Sequence, residues 1–352
     1  NARLILSHAG TTSKEAVNAD TQGAALETVI AARGPPLGGL VIAGIGHRVV
    51  HGGLEYAAPI VLCPEVRGAL ATLSPLAPLH QPHNLAGVDA ALAAFPGAVQ
   101  VGCFDTAFHR GHPWVNDTFA LPRRFYDEGI RRYGFHGLSY DYITGVIARE
   151  YPELHQGRLV IAHLGNGASM CAVREGASVG STMGFSALDG LPMGTRCGQI
   201  DPGVLLHLID QRGMAPQDVM KMLHNDSGLL GLSGISSDMR ILLASDRPEA
   251  AQAIDYYVFR ARREIGALTA VLGGIDGLVF CGGIGENAAP IRARIVEGLA
   301  YLGIEIDLGK NLANERDIAV GTTSVKVIAT DEERIIARAV HGALHGQLDS
   351  GV

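Results

Sequence analysis

The chain has 352 residues, 47% hydrophobic and 18% charged, the balance of a soluble globular protein long enough for two domains. A formal net charge of -7 argues against a nucleic-acid partner or an anionic membrane surface, so a bound anion must be held by local groups. Five scattered cysteines without C-x-x-C spacing favour reduced thiols in a cytoplasmic protein over a disulfide frame or zinc knuckle.

The chain opens "NARLILSHAG", with neither the basic start nor the apolar stretch of a secretory signal, and residues 10–36 read as polar surface structure. "LVIAGIG", "LVIAHLGNG" and "GLVFCGGIGENA" read as buried strands ending in glycine turns, the device by which α/β proteins bring backbone close to a ligand. A domain boundary falls near "FDTAFHRGHPW", where apolar strand gives way to polar loop. "DPGVLLHLIDQRG" predicts a helix capped by Asp201, with Pro202 in its first turn and Gly213 past its end. "RPEAAQAIDYYVFRARREIGALTAVLGG" predicts one long helix. Gly266–Gly285 is long enough to span a membrane, but Asp276 and its glycines read better as helix end, turn and buried strand. "NAAPIRARIVEGLAYLG" predicts a helix capped by Asn287, and "TDEERIIARAVHGALHG" one opened by a capping box of Thr330 and Glu333. Strands alternating with helices give an α/β architecture.

Several stretches could carry chemistry. In "GHRVVHGG", His47 and His51 have the spacing of a zinc pair, but Arg48 between them would repel a cation. Its guanidinium suits a carboxylate or phosphate, with a structural arginine as the alternative. Asp105 in "FDTAFH" is a magnesium ligand, a base or a turn-capping acid. In "RRYGFHGLSY", His136 is either a stabiliser of a transferring phosphoryl group or a half-buried structural histidine. "HLGNGAS" sets His163, Gly165, Asn166 and Gly167 after a strand, where a turn's N–H groups suit phosphate. "STMGFSALDGLPMGTRCG" carries a single cation, Arg196, which needs an anionic partner or exposure. Gly283 and Gly285 let the chain pass close to a ligand, and Asp238 and Arg240 in "SGISSDMR" could contact ribose or base or lie in a surface loop. Glu332 in "ATDEER" is a capping acid or a magnesium organiser. The Walker pattern and the G-x-G-x-x-G fingerprint are both absent, so a nucleotide would not sit on a P-loop or an ordinary Rossmann turn. Two arginines, a histidine, a few carboxylates and several glycine turns make up what phosphoryl transfer needs.

"GHRVVHGG", "LAPLHQPHN", "FDTAFH", "RRYGFHGLSY", "HLGNGAS", "MGFSALDGLPMGTRCGQIDPG", "CGGIGENAAPIR" and "DEERIIAR" resemble, in this order from Ile42 to Leu344, the acetate kinase family. The resemblance implies an α/β fold of two ribonuclease H-like domains flanking a cleft, the actin-like ATPase fold, usually as a homodimer. Domain I would be residues 1–108 plus 333–352, and domain II, binding nucleotide and forming the dimer, residues 109–332. The implied activity is reversible, magnesium-dependent phosphoryl transfer between ATP and acetate, giving acetyl phosphate and ADP. A propionate kinase of this fold and a non-catalytic nucleotide switch are the rivals.

By the same resemblance, Arg48 and Arg196 hold the carboxylate and the moving phosphoryl group, His136 stabilises transition-state oxygens, and Asp105 orients substrate or the metal shell. Val50, Leu79, Phe135 and Ala187 form the methyl pocket. His163, Gly165, Asn166, Gly167, Asp238, Arg240, Gly283, Ile284 and Asn287 bind nucleotide, and Glu332 organises Mg²⁺. Two features depart from the family. Its opening strand and Asn-x-Gly-Ser-Ser-Ser-x-Lys turn have no counterpart here, so N-terminal strands of domain I are expected to be missing. Ala187 also replaces a proline found in some members, which would widen the pocket toward propionate.

Overall fold

The computed structural model describes residues 2–8, 11–17, 24, 25, 28, 41–78 and 80–348. The chain divides into two compact units, Asn1–Ala107 with Glu333–Val352, and Phe108–Glu332.

The first unit opens on a hairpin in which β1 (Ala2–His8) pairs antiparallel with β2 (Thr11–Val17). Residues 10–36 were expected to be surface structure; Ser13–Ala16 of β2 are exposed, while most of the remainder lies outside the described residues. A three-stranded sheet follows, with β5 (Val99–Phe104) between β3 (Gly44–Val49), parallel to it, and the short β4 (Ile60–Val61), antiparallel. Helices Pro64–Thr72 and Gln81–Ala94 pack Val66, Leu70, Leu85 and Val88 against Val49, Leu62 and Phe104. The helix that begins at Glu332 presses on β3 where glycines leave room. A Cβ on Gly46 would lie 2.1 Å from Ile336 Cγ2, and one on Gly44 2.6 Å from Val340 Cγ1.

The second unit is built on a five-stranded sheet of order β10-β9-β6-β7-β8. Its strands are β6 (Arg158–Leu164), β7 (Ala168–Arg174), β8 (Ala177–Ser181), β9 (Gly277–Cys281) and β10 (Ser324–Val327). The first three form an antiparallel meander, and β9 and β10 add parallel to β6. Both faces are covered, so β6, β7 and β9 read as nearly continuous apolar runs. Leu159, Ile161, Cys171 and Val173 meet Tyr140, Ile143 and Ile147 of the Gly137–Glu150 helix on one face. The Pro248–Leu272 helix contacts β6, β7 and β8. Its start carries Pro248 and Glu249, and Gly273 ends it in the left-handed region with φ +72°. Among the described residues no helix is long and apolar enough to cross a membrane.

Two boundaries differ from the sequence expectation. Asn287 ends a Gly282–Asn287 helix instead of capping the next, which starts at Ala289 behind Ala288. The competing principle is the glycine turn itself, which folds into a helical turn and draws the Asn287 amide back onto the Gly283 carbonyl. Thr330 stands outside the final helix and its N–H donates to Glu286 Oε1, so the long-range carboxylate takes the group a capping box would use.

A buried polar cluster lies beside β7 and β8. Ser178 Oγ bonds His109 Nδ1 at 2.8 Å and His112 Nε2 at 2.7 Å, while His109 Nε2 meets the Phe135 carbonyl at 2.9 Å. Burial, aided by neighbouring positive groups, pushes His109 down to about 3 and His112 down to about 4. The unfolded chain takes up these protons below about pH 6.5 and the folded one does not, so stability is full above that pH and falls toward pH 4. Urea unfolding is predicted to lose up to about 1.4 kcal/mol per pH unit for each histidine in that window, and His112→Gln to show the shallower slope.

Candidate active site

In the first unit, β3 and β5 pair in parallel with Arg48 opposite Cys103, which brings Arg48 beside Asp105 just past the end of β5. The guanidinium forks onto that carboxylate, with Nε 2.9 Å from Oδ1 and Nη2 2.7 Å from Oδ2. Asp105 is buried while 45% of the Arg48 side chain is exposed, so the acid is a fixed anchor behind a cation that faces outward. Asp105 was expected to orient substrate or the metal shell; the structure shows its carboxylate holding Arg48. His47 Nε2 lies 2.6 Å from Gln100 Oε1, and His51 Nδ1 accepts from the Gly53 N–H. Neither arrangement is a metal pair, and among the described residues no cluster of three His, Cys, Asp or Glu could hold a metal. Val50 sits in a bend beyond the strand with its N–H on Asn84 Oδ1, so it does not continue the extended face of Arg48. Leu79 lies outside the described residues.

In the second unit the β6–β7 turn, Gly165–Gly167, is the centre of the site. Strand parity decides which side chains meet there. His163 and Ser169 are register partners across β6 and β7, on the same face as Ile161 and Cys171, and so point toward the start of the Gly137–Glu150 helix. His136 caps that helix from a left-handed conformation, φ +57°, which a non-glycine residue adopts at a cost. Its ring stacks on His163 with centroids 4.3 Å apart, and its Nδ1 lies 2.8 Å from Ser169 Oγ. The opposite edge of the ring faces Gly167, where a Cβ would be 3.1 Å from His136 Nε2 and 3.0 Å from Arg196 Nη2. Gly167 is therefore a gap onto which one imidazole and one guanidinium converge.

Arg196 lies in the long glycine-punctuated loop. Its Nη1 donates to the Ala187 carbonyl at 2.9 Å, so Ala187 meets it through its backbone. Two groups not foreseen from sequence hold this loop. Arg260, 4% exposed, donates to the Gly190 and Gln199 carbonyls, and Gly194 N–H donates to Asn166 O. Phe135 is buried, and its carbonyl is the one engaged by His109.

On the other side of the turn a cavity of about 540 Å³ opens. Gly165, Asn166, Asp238, Arg240, Gly283, Ile284 and Asn287 line it, with Ser237, Met239, Leu243, Ala288 and Pro290. His163 and Gly167, grouped with the nucleotide residues from sequence, instead border the His136–Arg196 gap. Met239 and Leu243 stand four apart on one short helix, a spacing from which their shared face could have been read. Arg240 forks onto Asp238, and that hydrogen bond holds the Asp238 carboxyl down to about 2. Gly283 has nothing within 4 Å of where a Cβ would lie, which leaves the cavity wall open there. Behind it, Arg292 is fully buried and donates to the Gly285 and Glu286 carbonyls and to Asn311 and Asn314. Burial lowers Arg292 to about 10, so it remains charged at neutral pH and fixes the end of the Gly282–Asn287 helix. Glu286 Oε1 accepts from Gly282 and Thr330, joining the end of β9 to the segment that carries Glu332. Glu332 is half-buried, and its charge helps push the Cys281 thiol and Tyr140 phenol upward, which sets it near the carboxyl end of β9.

A meander followed by two parallel strands, with a cavity at the carboxyl ends of β6 and β9, defines an α/β protein of the actin-like ATPase fold. The chain belongs to the Acetokinase family, whose model matches residues 8–338. It is 57% identical over 327 residues to an acetate kinase of Methylocella silvestris, covering 92% of this chain and 81% of that one. Among solved structures it is similar to a propionate kinase from Francisella tularensis at 34% identity, covering 96% of this chain and 89% of that one, with TM-score 0.91. It is similar to Porphyromonas gingivalis acetate kinase at 34% identity, covering 97% and 90%, with TM-score 0.87.

The gap at Gly167 makes a direct prediction. Gly167→Ala introduces a methyl group at contact distance from both Arg196 and His136. It is expected to lower kcat by about 10²-fold through their displacement, with little change in Tm, as read by steady-state kinetics and thermal unfolding.

Proposed function

We propose that the protein is an ATP:acetate phosphotransferase, reversibly moving the γ-phosphoryl group of ATP to acetate to give acetyl phosphate and ADP. One observation carries the reading. A single three-residue turn lines the cavity through Gly165 and Asn166 and, one residue on, borders the convergence of His136 and Arg196. The cavity takes the nucleotide, with Asp238 and Arg240 at one wall and Gly283, Ile284 and Asn287 at the other. Phosphates directed at the turn then end where an imidazole and a guanidinium meet, the groups needed for charge spread over three equatorial oxygens. Arg48, aimed by Asp105, is the first unit's candidate for the acetate carboxylate, since a guanidinium offsets repulsion between two anions. By the family resemblance, Phe135 and Ala187 are the second unit's candidates for the wall around the acetate methyl, as Val50 is the first unit's.

Magnesium fits this donor set. An ion held mainly through nucleotide phosphates asks for only one or two protein carboxylates, so a cluster of three is not required. Glu332, beside the end of β9, is the residue that would organise it. When bound, the ion neutralises phosphate charge; the chain's own residues align the reactants and exclude water. Transfer is direct and in line, without a phosphoenzyme. The free cysteines agree with a cytoplasmic setting, and exposed Tyr256 and Phe259 on the long Pro248–Leu272 helix agree with a homodimer.

The test is trapping of the acyl phosphate with hydroxylamine. Signal is expected only with acetate, ATP and Mg²⁺ together, and its absence from active-site-competent protein overturns the reading in favour of a nucleotide switch. Inversion at a chiral γ-phosphate is expected; net retention excludes direct transfer. Acetate is expected ahead of propionate, and Ala187→Pro to raise that preference in kcat/KM by no more than about 10–200-fold, the range a methylene discriminates. Gly283→Leu is expected to raise KM for ATP at least about tenfold by filling the cavity, leaving KM for acetate within about twofold.

A further inference from the structure

The proposal concerns two residues absent from every role assigned above. Tyr140 and Ser169 are fully buried, and each follows from local geometry. Tyr140 lies one helical turn after His136 in the Gly137–Glu150 helix, so its side chain returns to the same face. Ser169 opens β7 and points to that face by strand parity. The Tyr140 hydroxyl lies 2.5 Å from Ser169 Oγ, and Ser169 Oγ lies 2.8 Å from His136 Nδ1.

The direction of this chain of hydrogen bonds is decided by its buried end. Among the described residues, the phenol has one hydrogen-bond partner, Ser169 Oγ. Burial holds the phenol well above its ordinary range, so it keeps its proton throughout the working pH. A buried O–H must find an acceptor, and the only one is Ser169. Ser169 receives that proton's hydrogen bond and directs its own O–H onward to His136 Nδ1. An Nδ1 that accepts carries no proton, which leaves the proton of the neutral imidazole on Nε2. Nε2 is the atom that borders Gly167 and Arg196. The reverse direction would leave the phenol proton without an acceptor among the described residues and turn an imidazole lone pair toward the moving phosphoryl oxygens.

We propose that Tyr140 and Ser169 are positioning residues that lock His136 in its Nε2–H tautomer, so that a neutral imidazole donates a hydrogen bond to the transferring group. The inference rests on the phosphotransferase reading for what the donor serves, but the tautomer itself is a property of the resting protein. Arg196 and the stacked His163 face His136 directly. Tyr140 faces it through Ser169, and the Glu332 charge reaches the same pocket through Tyr140 and Cys281. The arrangement matters while the ring is neutral, when a free imidazole would divide between two tautomers.

The experiment uses full-length protein labelled with ¹⁵N-histidine, with the His136 resonances assigned by their loss in His136→Gln. At pH 9 the wild-type ring is expected to show an unprotonated Nδ1 and a protonated Nε2. Ser169→Ala and Tyr140→Phe are expected to show averaged shifts from mixed tautomers. In acetyl phosphate formation, both variants should lose kcat at pH 9 by at least about tenfold, part of the ~10²–10³ lost when a transition-state donor is removed outright. As the pH is lowered until the ¹⁵N shifts report a proton on each nitrogen of His136, the loss should shrink toward wild type. KM for ATP should move less than about twofold, and Ser169→Thr, which keeps the hydroxyl, should restore the wild-type profile. A protonated Nδ1 at pH 9 in the wild type, or variants whose kcat falls equally whether the ring is neutral or doubly protonated, overturns the proposal. Wild-type protein that forms no acetyl phosphate sinks the functional reading alone, because the resonance measurement does not depend on turnover.

Discussion

The second unit depends on a missing side chain. At Gly167 a Cβ would lie 3.0 Å from Arg196 Nη2 and 3.1 Å from His136 Nε2, so both side chains would have to give way to it by a few tenths of an ångström. Both side chains are turned toward the same glycine, and a side chain there would have to displace them. The turn that makes this gap also closes the β6–β7 hairpin through a Gly165 N–H to Gly167 O bond of 2.9 Å. Hairpin geometry and the convergence of the two side chains are therefore one constraint, and the turn borders the neighbouring cavity through Gly165 and Asn166.

Around that gap the charges are held rather than loose. Arg196 rests on the Ala187 carbonyl, and Arg260 pins the loop that carries it. Arg292 does for the cavity's far wall what Arg260 does for the loop, occupying carbonyls that a short helix leaves open. In the first unit, Asp105 does the same for Arg48. Guanidinium groups bonded to fixed acceptors lose little freedom when a ligand arrives, which is the condition for electrostatic stabilisation without reorganisation. The left-handed backbone of His136 belongs to the same scheme: its local cost is borne by a ring stacked on His163 and bonded through Ser169.

Much of this was legible from the chain. Asp201 caps its helix by accepting from Gly203 N–H, and Gly273 ends the long helix, both as local rules state. The strands before Gly165 and Gly282 announced themselves as apolar runs ending in glycines. The resemblance to a family then named most of the cavity wall. What was misread is instructive. Asn287 looks like a cap because the rule weighs three or four neighbours, whereas the glycine turn before it folded into a helix and drew its amide back onto the Gly283 carbonyl. Asp105 gives no local sign of its partner, because Arg48 stands 57 residues away.

The sequence by itself determined the elements, the glycine turns, the types of group available and, through its ordered motifs, the family. These are local or pattern properties, set by backbone sterics, periodicity and composition within a few residues. Only the tertiary structure decided which groups meet. Parallel pairing of β3 with β5 set Asp105 beside Arg48, register across β6 and β7 set His163 opposite Ser169, and helix-on-sheet packing delivered Tyr140 to that serine. Those meetings follow from long-range registry, which costs chain entropy and is settled by the packing of the whole core, so no short window of residues contains them.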